Sequence, residues 1–528
     1  MLHLEGWQGG QKGYYSLIVF FLLLVSNCND GQQTIVSQVA LNDFTSLKSD
    51  VYALSAQQIH ESLEHILRAD ADAATADLRA KDYYRHGQPF VWIDRLGVDD
   101  RADTLIAELH RRVTDMGFTE RSFRVAQIES DLARMRRLDF DAADNSVSRV
   151  AARLEYNLTK AYLRYVLGQR FGFTNPDRIL NRLDASETDS LGRPLGYRNL
   201  FDVDMEHPGK YYEYAALRKV QNDSLSDYLA EVLPDDDVYL QMKQRLASTD
   251  DLQRTRLLVN MDRRRWRERN RVGSAQKYVV VNVPAYHLWA VSPDSLFDMR
   301  AACGAQKTKT PLLTSQITHM EVNPQWLIPF SIIKNDIAHH AGDSSYFARH
   351  RYFISDRKSG QRLNVRSVSR SQLLSGNYRV AQEGGEGNAL GRIIFRFPNN
   401  FSVFLHDTSS RGVFQRDDRG VSHGCVRVQR PFDLACFLFP ELPDEWTLDK
   451  LRITMGMEPQ SEKGIKYMAE LEPDKKPQLI RWQSVSPRVP LYITYYTIVP
   501  VPGGQLTNYP DVYGYDKVLA EALTTCRQ

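Results

Sequence analysis

Cysteine is scarce in this chain. Among its 528 residues stand only Cys28, Cys303, Cys425, Cys436 and Cys526, with no Cys-x-x-Cys pair. That usage excludes a disulfide framework and is consistent, in an exported protein, with one thiol kept free for chemistry. A strong charge of either sign is missing too. The 67 Lys and Arg against 65 Asp and Glu leave a net +2, which gives no case for nucleic acid as a partner. Long apolar runs are absent but for one, Tyr15 to Val25, about eleven residues. A spanning helix needs about twenty, so this run reads as the apolar core of a signal sequence. Lys12 is the only Lys or Arg before it, and Cys28 follows Val25-Ser26-Asn27 in a loose likeness to a lipoprotein processing site. Export is expected. Lipidation at Cys28, a retained membrane anchor and simple cleavage stay open for residues 1–28, with a tether over 29–43.

What the chain does have is ordinary globular material, 42% hydrophobic and 25% charged, enough for two or three domains with a sizeable core. Its chemistry concentrates in FSVFLHDTSSRGVFQRDDRGVSHGCVRVQRP, residues 401–431. Phe401, Val403 and Leu405 alternate with Ser402 and Phe404 and predict a buried strand that ends on His406. A polar loop leads to Ser422-His423-Gly424-Cys425-Val426-Arg427, and Pro431 suits the first position of a helix. Such residues fit thiol acyl transfer. A free thiol with a pKa of about 8.5 is mostly protonated at neutral pH, and a neighbouring imidazole can accept its proton. Gly424 permits a sharp turn, and backbone N–H groups there can bind an oxyanion, a single donor being worth about 3–4 kcal/mol. The plainer alternatives are a buried small hydrophobe for the cysteine and a satisfied core or surface position for each histidine. One cysteine with two histidines leaves a zinc ligand set incomplete, so no metal and no cofactor are expected.

The whole run resembles the signature of the YkuD-type L,D-transpeptidases: a strand ending in histidine, a loop, then S-H-G-C-x-R. His406 precedes Cys425 by nineteen positions and SHGCVRV stands entire at 422–428. Upstream, CGAQKTKTPLLTSQITHMEVNPQWLIPFSIIKNDI (303–337) looks like the family's threonine-proline and Asn-Pro-x-Trp-x-x-Pro segment. YRVAQEGGEGNALGRIIFRFPNNFSVFLHDT (378–408) looks like the large YcbB-like branch. The resemblance implies Cys425 as nucleophile and His406 as base, with His423 the second choice. Asp407, or a backbone carbonyl near it, is the candidate to orient the imidazole. The N–H groups of Gly424 and Cys425 are the expected oxyanion donors, and Ser422, Arg427 and Asp407 the candidate substrate contacts. It further implies a periplasmic enzyme acting on peptidoglycan stem peptides, forming 3–3 cross-links through a thioester and inhibited by carbapenems. An L,D-carboxypeptidase, an enzyme joining a lipoprotein to the wall, and a wall-binding scaffold that has kept the fold are the alternatives.

The implied fold is α+β, a helical scaffold domain over 44–275 followed by a mostly β catalytic domain over 276–528. Helical stripes run through Ile59, Leu63, Ile66 and Leu67, through Leu105, Ile106, Leu109 and Val113, and through Val147 to Tyr165. Tyr83, Tyr84 and Pro89-Phe90-Val91-Trp92 form an aromatic knot. Met242 to Ala247 runs into Asp251 to Asn260 without room for the peptidoglycan-binding module usual in the larger relatives. RRRWRER (263–269) reads as a solvated helix end with Trp266 packed on the next domain, ahead of a patch for anionic polymer or lipid. Strands are expected at 277–284, 287–291, 317–323, 378–382, 392–397 and 401–406, with a closing strand at about 490–501. A polar insertion at about 336–377, bearing His339, His340, His350 and several arginines, is the expected lid.

Overall fold

The computed structural model describes residues 40–141, 144–472, 475, 477–500 and 504–527. The expected leader, Cys28 and most of the tether lie outside them. Among the described residues no helix is long and apolar enough to cross a membrane.

The N-terminal region is built around the helix Val147–Phe171, which is buried on nearly every side. Helices Ala56–Ala69, Thr75–Arg85 and Val125–Arg137 pack against it. A helix so enclosed is normally apolar all round, yet this one carries Glu155, Lys160 and Arg164, so each must find partners inside. Lys160 Nζ lies 2.5 Å from Asp70 and 2.6 Å from Asp72, and Arg164 pairs with Asp77 at 2.8 Å. Glu155 holds the aromatic knot. Its carboxylate accepts the N–H groups of Val91, Trp92 and Ile93 at 2.6, 3.0 and 3.1 Å and the Tyr84 hydroxyl at 2.6 Å.

The C-terminal half is a closed barrel. Going round it, the strands are Ile393–Arg396, Leu405–His406, Val426–Val428, Ser295–Gly304, His287–Ser292, Tyr278–Asn282, Trp482–Thr494 and Leu312–Val322, the last pairing back to the first. Alternation puts Val279, Val281, Leu288 and Ala290 inside. The closing strand starts earlier than expected, at Trp482, and ends at Thr494; Ile498–Pro500 turns away to pair with Leu506–Asn508. The expected strand 401–406 shrinks to Leu405–His406, because Ser402 has φ +55° and breaks the extended run that its alternating pattern suggested. The insertion expected as the lid is framed by more of the chain than the sequence indicated. Trp326–Leu327, Tyr352–Asp356, Arg362–Leu363 and Tyr378–Gln382 form a separate four-stranded sheet. That sheet has its own core of Ile328, Ile333, Phe347, Ile354 and Val380.

The two halves interlock rather than abut. The expected helical stretch 44–275 includes a hairpin, Ala185–Thr188 with Pro194–Tyr197, and the short strand Phe201–Asp202, which pairs parallel with Leu312 and Leu313 of the barrel. The helix Asp251–Arg265 crosses the junction. Asp262 accepts the N–H of Phe173 at 2.8 Å, Asn260 donates to Thr497 at 2.7 Å, and Arg263 pairs with Asp516 at 2.6 Å. Arg265 is buried, Arg264 pairs with Asp236, and Trp266 meets Phe201 with ring centroids 5.9 Å apart. The basic run is therefore a packed junction and not a free cationic patch.

Burial pushes the Glu155 carboxyl up to about 7, against the opposing pull of the Tyr84 hydroxyl and the three N–H groups. The folded state then holds this proton between pH 4.5 and 7 while the unfolded chain has lost it, so the contribution is full below 4.5 and lost as pH rises through 7. Calorimetry of the full chain is expected to show a scaffold transition that falls over this window in the wild type and lacks that component in Glu155→Gln. Glu155→Ala, which strands four donors, is expected to cost about 3 kcal/mol or more.

Candidate active site

Cys425 sits at the rim of the barrel, directly before the strand Val426–Val428. That strand pairs parallel with Leu405–His406 and antiparallel with Ser295–Gly304, so the histidine and cysteine segments are neighbours. Just upstream, Gly420–Ser422 pairs with Cys303 and Gly304, and the chain reverses through His423 and Gly424. Gly424 has φ +123°, a conformation other residues rarely adopt.

Four groups from distant sequence hold this turn. Thr310 Oγ1 accepts the Gly304 N–H at 2.8 Å and donates to the Gly424 carbonyl at 2.9 Å. Thr308 Oγ1 and the Ala305 N–H both donate to the Ser422 carbonyl, at 2.7 and 2.9 Å. The Tyr513 hydroxyl accepts the Thr310 N–H at 3.0 Å and donates to the Gly304 carbonyl at 2.7 Å. A Cβ on Gly304 would stand 2.1 Å from the Thr308 carbonyl oxygen, so only glycine fits there.

His406 is buried, and its Nδ1 hydrogen-bonds the Asp407 carbonyl. A carbonyl only accepts, so Nδ1 carries the hydrogen and Nε2 keeps the lone pair. Burial, aided by the positive Arg427, pulls the imidazole down to about 4, against the carbonyls of Asp407 and Leu390; the ring is neutral at physiological pH. Burial likewise pushes the Cys425 thiol up to about 11, although the Phe404 N–H, Arg396 and Arg427 all favour the thiolate. The sulfur lies 4.0 Å from the Ser402 carbonyl oxygen. The resting pair is thus neutral thiol and neutral imidazole, with Arg427 acting electrostatically on both.

Several expected roles change. Ser422 is buried and belongs to the turn. Its hydroxyl donates to the Cys425 carbonyl at 2.5 Å and accepts the Gly424 N–H at 3.1 Å, so it does not face a substrate. For the same reason the Gly424 N–H is already committed. Of the expected pair of oxyanion donors, the Cys425 N–H is the one that makes no hydrogen bond among the described residues. Asp407 offers its carbonyl to His406, but its carboxylate points into the structure, accepting the Arg392 N–H at 2.9 Å and pairing with Arg411 at 3.1 Å. Arg427 is half-buried with its Nε unpartnered and no ion pair among the described residues. His423 is exposed. Among the described residues no group of three or more His, Cys, Asp or Glu side chains is placed to hold a metal.

A family model described as the L,D-transpeptidase catalytic domain, YkuD, matches residues 276–438, and one described as a scaffold domain matches 77–246. The chain thus carries the catalytic domain of the L,D-transpeptidase family together with a scaffold domain. The order of the two domains is that of its YcbB-like architecture. A Haemophilus influenzae protein provisionally named an L,D-transpeptidase is 27% identical over 309 residues, a match covering 57% of this chain and 57% of that relative. A solved L,D-transpeptidase from Mycobacterium smegmatis is matched over 42% of this chain and 59% of its own, at 13% identity and a TM-score of 0.19, a likeness too slight to carry an argument.

In this transpeptidase domain the sequence hid the supports of the nucleophile turn. Thr310 stands 114 positions from Gly424 and 203 from Tyr513, and no local pattern links them. The one available signal was the pair of threonines before Pro311, following a strand that ends in glycine.

A thiol with a pKa near 11 has a thiolate fraction that climbs about tenfold per pH unit below that value. Iodoacetamide capture of Cys425 in the full chain is therefore expected to keep rising from pH 7 to 10. A plateau reached by pH 8 would instead reveal a thiolate–imidazolium pair in the resting enzyme.

Proposed function

We propose that the chain is a periplasmic peptidoglycan L,D-transpeptidase, with Cys425 as nucleophile and His406 as base. The observation that carries this reading is the buried, neutral His406 imidazole. Its Nδ1 is held by the Asp407 carbonyl, and its strand is hydrogen-bonded beside the one that opens at Cys425. The donor is a tetrapeptide stem, attacked at the amide between its third residue, a diamino acid, and the D-alanine at position four. His406 Nε2 takes the thiol proton as Sγ bonds to the carbonyl carbon. With the imidazole pulled down and the thiol pushed up, transfer before attack is disfavoured, so the two events move together. The oxyanion is received by the Cys425 N–H, an interaction worth about 3 kcal/mol or more. Collapse breaks the C–N bond, and the departing D-alanine amine takes the proton from the imidazolium. A side-chain amine of a second stem then attacks the thioester, forming the 3–3 amide and returning the proton to sulfur. Arg427, without a carboxylate partner, suits an anionic group of the stem peptide, and the lid is the cover under which the peptide is held. The apolar run ahead of Cys28 supports export, with membrane anchoring or lipidation at Cys28 part of the same reading.

Purified disaccharide-tetrapeptide and mass spectrometry test it. The wild type is expected to release D-alanine and form 3–3 dimers. Cys425→Ala is expected to abolish both while staying folded, and His406→Ala to slow acylation about a hundredfold, more than His423→Ala does. Dimer formation by Cys425→Ala at the wild-type rate would sink the assignment; D-alanine release without dimers would make the enzyme a carboxypeptidase.

A carbapenem offers the same thiol a strained carbonyl: the S–C bond forms, the lactam C–N bond breaks and its nitrogen takes the proton. One adduct is expected, on Cys425. Burial pushes the Cys303 thiol up to about 12 and that of Cys436 up to about 11, and neither has an imidazole partner among the described residues. Peptide mapping after brief exposure reads this out, and an unmodified Cys425 together with no tetrapeptide turnover would favour a wall-binding protein.

A further inference from the structure

The segment leaving the lid runs straight into the site. After the lid strand Tyr378–Gln382 come Glu383, Gly384, Gly385, Glu386, Gly387, Asn388, Ala389, Leu390 and Gly391, then the barrel strand Ile393–Arg396. The Leu390 carbonyl reaches His406. Gly391, at φ +67°, lies so close to Asp407 that a Cβ there would stand 2.4 Å from the carboxylate. The Asp407 N–H donates to the Ile393 carbonyl at 2.9 Å and its carboxylate accepts the next N–H, that of Arg392, also at 2.9 Å. The side chain thus adds one rung to a ladder whose backbone has ended. Its other oxygen holds Arg411, which also donates to the Gln429 carbonyl at 2.6 Å, just past the strand that follows Cys425.

We infer that the Asp407 carboxylate is a positioning residue: it fastens the lid's exit segment and the nucleophile strand to the histidine-bearing strand, and so fixes the orientation of the His406 ring. The inference rests on His406 being the base. A carboxylate with only 9% of its side chain exposed costs free energy unless it is fully paired, and here its partners are the Arg392 N–H of the lid's exit segment and the guanidinium of Arg411, four residues on, which bridges to the Gln429 carbonyl. The ring is enclosed by Arg427 from one neighbouring strand, the Leu390 and Asp407 carbonyls, and the Phe404 ring at 5.8 Å, edge to face; Arg411 reaches it only through Asp407. If the carboxylate is removed, the 390–392 segment loses its tie to residue 407. The Asp407 carbonyl then moves, and with it the acceptor that selects the Nδ1–H tautomer. Movement of the lid is communicated to the base by the same route.

The experiment uses full-length Asp407→Ala and Asp407→Asn with nitrogen-15-labelled histidine, the His406 signal being assigned by its loss in His406→Gln. In the wild type the ring is expected to hold the Nδ1–H tautomer and stay neutral down to about pH 4. In Asp407→Ala the tautomers mix, the midpoint rises toward 6.5 as water enters, and the acid limb of acylation moves with it. The kcat for acylation is expected to fall about tenfold, less than the roughly hundredfold or more of losing a general base outright, while KM changes little. Asp407→Asn falls between, since its amide oxygen still accepts from Arg392. An unchanged tautomer and midpoint, with activity lost only in proportion to the folded fraction, would overturn the inference. A wild type that never acylates, with the ring still responding to residue 407, would refute the base assignment and leave the positioning intact.

Discussion

The Thr310 hydroxyl, fully buried and shared between Gly304 and Gly424, is the contact on which the site depends. It needs a strand end at Gly304 with no side chain, and a left-handed glycine before Cys425. It needs Tyr513 as well, which holds the Thr310 N–H from the far end of the chain. Tyr513 is itself fixed, its N–H donating to the Tyr495 hydroxyl at 2.7 Å, and Tyr495 donates to Asp511 at 2.6 Å. The nucleophile turn is thus built from the barrel, the threonine-rich segment and the C-terminal tail together. A turn held from three directions keeps its N–H groups preorganised, which is where oxyanion binding gains its strength.

The electrostatics follow from burial. A pre-formed ion pair between the half-buried Cys425 thiolate and the buried His406 imidazolium would leave two charges to be compensated largely by the protein. Burial instead keeps both groups neutral, with the positive Arg427 acting on each and Arg396 on the thiol as well. A neutral, half-buried thiol presents little thiolate to oxidants or alkylating agents.

The scaffold region serves the same end. Lys309 pairs with Asp184 at 2.6 Å, and Arg198 donates to the Lys307 carbonyl at 2.9 Å, so residues flanking the scaffold hairpin brace the segment that carries Thr308 and Thr310. From the other side, Asn260 and Arg263 tie the helix Asp251–Arg265 to Thr497 and Asp516 of the C-terminal part, while Asp262 ties it to Phe173 of the scaffold. With these ties and the strand Phe201–Asp202 added to the barrel, hydrogen bonds and ion pairs cross the division expected at residue 275.

The sequence by itself determined the family and the local chemistry. Ser-His-Gly-Cys with a strand-end histidine nineteen positions earlier names a thiol, an imidazole and a turn. Alternating apolar residues at 278–292 and helical stripes at 147–165 mark their elements, because periodicity reflects burial of one face. It could not assign the polar partners. The apolar stripe within 147–165 carried no sign that Glu155 binds three backbone N–H groups. Ser422 and Asp407 looked like substrate contacts and proved to be supports, and the strand expected from Phe401 is interrupted at Ser402. These were decisions of tertiary structure alone, for a physical reason: which hydrogen-bond donor meets which acceptor depends on chain segments a hundred or more positions apart, and burial, which sets the protonation of Cys425 and His406, exists only once those segments have closed around them.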